Sequence, residues 1–277
     1  MQSDVRKTFY YQTDANPLGG FIEKPFEKNI PSHASSSLPN CGGYVESRGE
    51  ELNFEDIVSV SAAYTRVSGR EVQRNGPWSI LTTSVVEGLN ILEVVTAERV
   101  VAQISATYHP NRRYPKVVLT GSYIQGLRIG GYDASPVLNS RLLNIGSDAD
   151  AAEEGITWPV FQETGRAQAG KLVEYAGQTG GEADRWIAER FGWMNSEEPG
   201  EDGLVLCSLV DSVEQKIPGR SFGHCIIIPD FGRIFLEELL VTRSSVQLSM
   251  IRAELGCNVA GQTTAGGGVV GGHPIPP

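Results

Sequence analysis

Two adjacent carboxylates, Glu237 and Glu238, lie between Leu236 and Leu239 in an otherwise apolar, strand-like run. Glycosidase-type chemistry needs two carboxyl groups facing one cleft. Glu87, Glu93, Glu98, Asp211, Glu214 and Glu254 are the other carboxylates placed on expected strands. Neighbouring residues of a strand point to opposite faces, so at most one of Glu237 and Glu238 is expected to face inward. Arg233 or Arg252 is the expected cross-strand partner, which makes a structural ion pair the simpler reading. His224, between Gly223 and Cys225, could activate a nucleophile, but no G-x-S-x-G elbow accompanies it. If the chain is an enzyme, Glu237, Glu238 and His224 are the residues expected to carry the reaction.

Other motifs point away from familiar site chemistry. Residues 165–171 satisfy G-x-x-x-x-G-K, but Leu172 stands where a phosphate-binding loop needs Ser or Thr for Mg²⁺. Pro159 interrupts the strand that would feed such a loop, so an ordinary helix start is expected there. The four histidines, His33, His109, His224 and His273, show no metal-ligand spacing. Cys41, Cys207, Cys225 and Cys257 form no C-x-x-C pair and read as free thiols, although Cys207 and Cys225 fall in adjacent expected strands and could face each other. No metal and no cofactor are expected. Tyr108, Tyr114, Tyr123 and Tyr132 lie on or near successive strands; as amphipathic rings they could line a carbohydrate platform, with Tyr123 and Tyr132 the candidate ligand contacts, or could equally be cross-strand pairs.

The elements that must position these residues are mostly strands. In residues 98–108, Val100, Ala102, Ile104, Ala106 and Tyr108 share one face and polar residues the other, the alternation of a half-buried strand. Residues 117–129 repeat it and end at Gly130-Gly131, a turn; residues 59–67 and 80–89 are rich in β-branched residues. Residues 204–213, 225–228, 233–242 and 246–255 are four further strands. Between the two β regions, residues 166–176 and 182–191 carry apolar residues at helical spacing, after an acidic run of Asp148, Asp150, Glu153 and Glu154 expected to be a solvated loop. A short echo between residues 81–87 and 204–211 is too brief for a duplication.

The two ends read differently. Residues 1–40 carry Pro17, Pro25, Pro31 and Pro39, a density that blocks helices and ladders, yet include Phe21, Ile22, Phe26 and Ile30. The expectation is an extended arm packed along a body, its own or a neighbour's. The Gly- and Pro-rich stretch 256–277 is expected to be a mobile tail. The domain reading is thus an arm over 1–40, one β body over 41–255 with a helical insertion at about 160–194, and a tail over 256–277.

Composition sets the remaining bounds. With 40% hydrophobic and 20% charged residues the chain is globular rather than disordered. The formal net charge of −10 argues against nucleic acid or an anionic membrane surface as partner. No apolar run approaches the roughly 20 residues that span a bilayer. The first residues hold no apolar core of a Sec-type signal, so either a cytoplasmic place or export by an unrecognised route is expected.

As a set, LPNCGGY (38–44), SVVEGLN (84–90), VTAERVVAQ (95–103), GLRIGG (126–131), FGRIFLEELL (231–240) and LSMIRAELG (248–256) resemble a group of bacterial β-rich proteins without assigned function. The order of strand motifs is also loosely similar to surface-associated β proteins of the choice-of-anchor type. Neither resemblance transfers a catalytic residue. The resulting expectation is a mostly β chain, an antiparallel sandwich or Greek-key barrel with a small helical insertion. It is read as a non-enzymatic structural or assembly protein that self-associates through its N-terminal arm. A carbohydrate- or small-ligand-binding β module and a carboxylate-dependent enzyme are the alternatives.

Overall fold

The computed structural model describes residues 7–143, 155–179, 181, 184–195, 203–214 and 217–275. The acidic run at 148–154 lies outside them. The main strands are β1 (Thr8–Lys24), β2 (Gly43–Gly49), β3 (Ala62–Glu71), β4 (Trp78–Ile91), β5 (Val95–Tyr108), β6 (Val205–Ser208), β7 (Val210–Val213), β8 (Cys225–Ile228), β9 (Gly232–Val241), β10 (Ser245–Gly256) and β11 (Ala260–Ile275). Among the described residues, two α-helices, α1 (Trp158–Thr179) and α2 (Arg185–Phe191), come between β5 and β6.

All of these strands except β7 lie in two antiparallel sheets. One runs β8-β9-β10-β11-β1, and the other is built on β2-β3-β4-β5. The sheets pack face to face, which is the sandwich expected from the alternation. On β5, Val100, Ala102, Ile104 and Ala106 are all buried, as their shared face requires. Phe9 of β1 closes one end of the core, stacked on Trp78 at 5.0 Å and tilted against Tyr108 at 5.0 Å. The Tyr108 hydroxyl donates to the Ser244 carbonyl at 3.0 Å, satisfying the one polar group that this ring buries.

Both ends of the chain depart from the sequence expectation. The glycine-rich C-terminal stretch is not a mobile tail but the interior strand β11, paired with β10 on one side and β1 on the other. Its glycines are what allow this. A Cβ at Gly268 would lie 2.9 Å from Thr82 Cγ2, and one at Gly266 2.7 Å from Val100 Cγ1, both on the opposing sheet. Small residues here let β11 run close beneath β4 and β5. The N-terminal stretch is extended and packs along this chain's own body, one of the two places expected for it, but as a paired strand despite its prolines. Residues 8–24 pair along nearly their whole length with β11, and Ile22 and Ile30 are buried in this chain's own core. Phe26 packs edge-on against Phe54 at 6.4 Å, and Phe21 is the half-exposed member of the set. Pro17 is accommodated because its missing N–H falls at a break in the ladder, between the pairs Asn16–Gly267 and Leu18–Ala265.

Two expected single strands are divided. Residues 117–129 form three pieces, Lys116–Val118, Tyr123–Gln125 and Arg128–Ile129, each paired with β5. Gly126, at φ +64°, makes one of the breaks. Residues 204–213 split at Leu209 into β6, which pairs with β9, and β7, which pairs with Pro136–Leu138 in a separate ribbon.

The helical insertion covers the β6 end of the first sheet. Gly165 lets α1 approach closely, because a Cβ there would lie 2.9 Å from the Leu206 carbonyl oxygen. Gln168 then acts as a substitute strand partner. Its Oε1 accepts from the Ser208 N–H at 2.8 Å, and its Nε2 donates to the Ser208 carbonyl at 2.9 Å. The G-x-x-x-x-G-K match lies inside α1, where the backbone N–H groups are engaged in the helix and leave no phosphate cradle.

Candidate functional site

β8 and β6 share one edge of β9, end to end. Cys225–Ile228 pairs with the first part of β9 and Val205–Ser208 with the last. Glu237 sits at the changeover, where its carbonyl accepts from the Leu209 N–H at 3.1 Å and the preceding Leu236 N–H donates to the His224 carbonyl at 3.1 Å. Its backbone is left-handed, at φ +50°. This is one point of a break running across the sheet. Direct pairing skips Glu237 and Met250, then Met250 and Gly266, and Gly266 is also left-handed. The other sheet carries a similar break at Gly88 (φ +60°) opposite Glu98.

With the alternation interrupted, Glu238 takes a position beside Arg252 and His224. Its Oε2 accepts from Arg252 Nε at 2.6 Å, and its Oε1 lies 3.7 Å from His224 Nε2 and 3.7 Å from Arg190 Nη2. Glu254 extends the network by pairing with Arg252, with Arg190 at 3.0 Å and with Arg233 at 3.5 Å. Phe235 lies under two of these guanidinium groups, 3.9 Å from Arg252 and 4.5 Å from Arg190. Trp186 of α2 meets Phe235 edge-on at 5.9 Å and carries Arg233 over its face at 4.1 Å. Such stacked, bidentate arrangements suit Arg and not Lys. The network therefore fastens α2 to the sheet.

The sequence candidates Glu238 and His224 are thus brought together, while Glu237 is held apart from that network. Burial by itself would raise Glu238, but the hydrogen bond from Arg252 and the nearby charges of Arg252 and His224 prevail and hold it at about 2. Burial likewise opposes a charged His224, yet the adjacent Cys225 sulfur and Glu238 raise it to about 10. A proton-transfer pair needs values near the working pH. These two are displaced in opposite directions, as in an ion pair. Glu237 is different, since burial alone pushes it up to about 8.

His224 also lines a pocket of about 190 Å³ between α1, β7 and residues 221–223, together with Lys171, Tyr175 and Asp211. Asp211 is fixed there by Asn139 Nδ2 at 2.9 Å and Gln168 Nε2 at 3.0 Å, both donating to Oδ1. Sequence reasoning singled out Lys171 for its place in a false phosphate-loop match and Asp211 only as one strand carboxylate among several. Their convergence depends on α1 crossing β6 and β7, which no local pattern records.

A second concavity, about 770 Å³, lies on the outer face of the β2-β3-β4-β5 sheet. Glu46, Arg48, Tyr64, Arg66, Thr83 and Gln103 are among its walls. Tyr64 is held by a hydrogen bond from Arg99, and Arg66 lies 3.7 Å from Glu46. The tyrosines singled out by spacing do not line it. Tyr108 is buried at the end of the core, and Tyr114 stacks on Trp158 at 5.5 Å. Tyr123 and Tyr132 are 43% and 58% exposed, on short strands at the other side of the sheet. Cys207 and Cys225 are buried free thiols set against different parts of β9. Among the described residues, no group of three His, Cys, Asp or Glu side chains is placed to hold a metal ion, and no helix is long and apolar enough to cross a membrane.

Comparison with known proteins finds no match among curated proteins and none among solved structures. A family model does match, over residues 9–242, from β1 through the end of β9. The chain belongs to the family described as a domain of unknown function, DUF8256.

Proposed function

We propose that this chain is a non-enzymatic structural subunit that assembles with copies of itself, and that the contact is the open edge of β2. The carrying observation is that, among the described residues, β2 pairs only with β3, leaving its other edge unpaired. An unpaired edge is a template for another strand. The sequence of β2, GYVESRG, is self-complementary in one register. Antiparallel pairing of two copies about Ser47 sets Glu46 of each opposite Arg48 of the other, and opposite charges directly across a ladder are favourable. The edge is preferred to the N-terminal segment as the device because Ile22 and Ile30 are already used in this chain's own core.

Light scattering tests this reading. The full chain is expected to be a dimer or larger, Glu46→Arg and Arg48→Glu to be monomers, and the double exchange E46R/R48E to regain the wild-type mass. A monomeric wild-type chain, or single exchanges that leave the mass unchanged, rejects the edge contact.

A second reading, a binding module for a carbohydrate or similar polar ligand, is favoured by the outer concavity. Its volume falls in the range of ligand clefts. Tyr64 supplies a ring face, and Arg66, Glu46 and Gln103 supply planar hydrogen-bonding groups suited to neighbouring hydroxyls. A glycan array with Tyr64→Ala as control tests it: a hit that survives the substitution rejects this face.

A further inference from the structure

The pocket at His224 lies on the side of the molecule covered by α1, away from β2, and its chemistry is independent of self-association. Its size is the first constraint. About 190 Å³ is roughly six times the volume that a water molecule occupies in the liquid, which suits an organic molecule of about six to nine non-hydrogen atoms.

Its charges are the second constraint. Lys171 brings an ammonium from the exposed side of α1. His224, 2% exposed, is the deepest polar group, and its Nε2 has no hydrogen bond among the described residues. The network behind it is rich in positive charge: among the described residues, Arg190, Arg233, Arg252 and His224 face two carboxylates, Glu238 and Glu254. An anionic group in this pocket is therefore attracted by both its inner and its outer wall.

Asp211 is the third constraint. Two donors hold its Oδ1, and its Oδ2 accepts no hydrogen bond from the described residues. A carboxylate fixed in this way repels a simple anion and attracts a cation. One small cavity thus offers a positive inner group, a positive rim and a rigid negative wall. Leu172 and Phe222 supply apolar surface between them.

We propose that this pocket binds a small zwitterion of the amino-acid class, its carboxylate directed at His224 and Lys171 and its ammonium at Asp211. The two poles of such a molecule match the two signs in the wall, and a compact body fits the volume. Gln168 acts as a positioning residue: its side-chain amide is committed to Ser208 and Asp211, and it fixes the carboxylate rather than meeting the ligand.

Isothermal titration calorimetry on the full chain tests this. The probes are glycine, β-alanine and L-serine as zwitterions, with acetate and methylammonium as their separate halves. At least one zwitterion is expected to bind at least tenfold more tightly than either half. Lys171→Gln, a change at an exposed helix position, is expected to weaken that binding at least tenfold without changing the melting temperature. Asp211→Asn is expected to weaken the zwitterion while leaving acetate unchanged or improved. Acetate binding as tightly as the zwitterions shows a plain anion site and overturns the proposal. So does an unchanged affinity in Lys171→Gln, or the absence of binding by all three zwitterions.

Discussion

Glu237 stores a proton that the unfolded chain would release. Burial raises it to about 8 from an ordinary value of 4.5. Between those values the folded state binds the proton and the unfolded state does not, so stability falls as pH rises through that window. Glu237→Gln keeps a neutral side chain of the same size. It is expected to match wild type near pH 4.5 and to be more stable above pH 8 by roughly 2–4 kcal/mol. Thermal melts across pH 4.5–9 check this, and a difference independent of pH excludes Glu237 as the titrating group. Glu238 has the opposite sign. Held at about 2, it contributes stability above 4.5 that is lost as pH falls toward 2. Arg252→Met removes its closest cation while leaving the carboxylate buried, a change expected to cost about 3–5 kcal/mol in urea unfolding. The sequence made both glutamates visible as charges in an apolar run. Which of them is paired was hidden, because the rule that neighbours face opposite ways fails where Glu237 turns left-handed.

Elements were legible where a local period is unbroken. The face of β5 and the helical spacing of α2 follow from residue types alone. The glycine-rich strand β11 was not, since glycine lowers strand preference and carries no side chain to mark a face. Its role appears only against its neighbours. Gly268→Val would press a Cβ within 2.9 Å of Thr82 Cγ2, in a core where Thr82 is fully buried. Overpacking of this kind is expected to lower stability by about 1–3 kcal/mol. Gly177→Ala in α1 meets no heavy atom within 4 Å and should instead gain about 0.4–1 kcal/mol, which makes it the matched control in the same urea titration. The split of residues 204–213 at Leu209 was equally invisible, because both halves carry strand-like residues and only the choice of partner differs.

The whole molecule is closed by joining its two ends. β1 and β11 are neighbours in one sheet, although they lie at opposite ends of the sequence. Deleting residues 257–277 removes a strand paired on both sides and buried against the other sheet. The truncated chain is expected to lack the cooperative thermal transition of the full protein, as followed by circular dichroism. A truncated chain that melts as wild type does would return the C-terminal stretch to the status of a tail. The same closure bears on the assembly we propose: with Ile22 and Ile30 spent inside the fold, the N-terminal segment is not the contact that the proposal uses.

The sequence by itself determined the class of this protein: β-branched alternation made sheets, two stretches of helical spacing made the insertion, and hydrophobic content sufficed for a two-layer core. These are short-range properties, written within a few residues of one another. Tertiary structure alone decided that the two ends pair as neighbouring strands, that Glu238 meets His224, and that Lys171 and Asp211 share a pocket. Each of those depends on pairing between distant segments, where the fit of one surface to another governs the outcome and no local pattern encodes it.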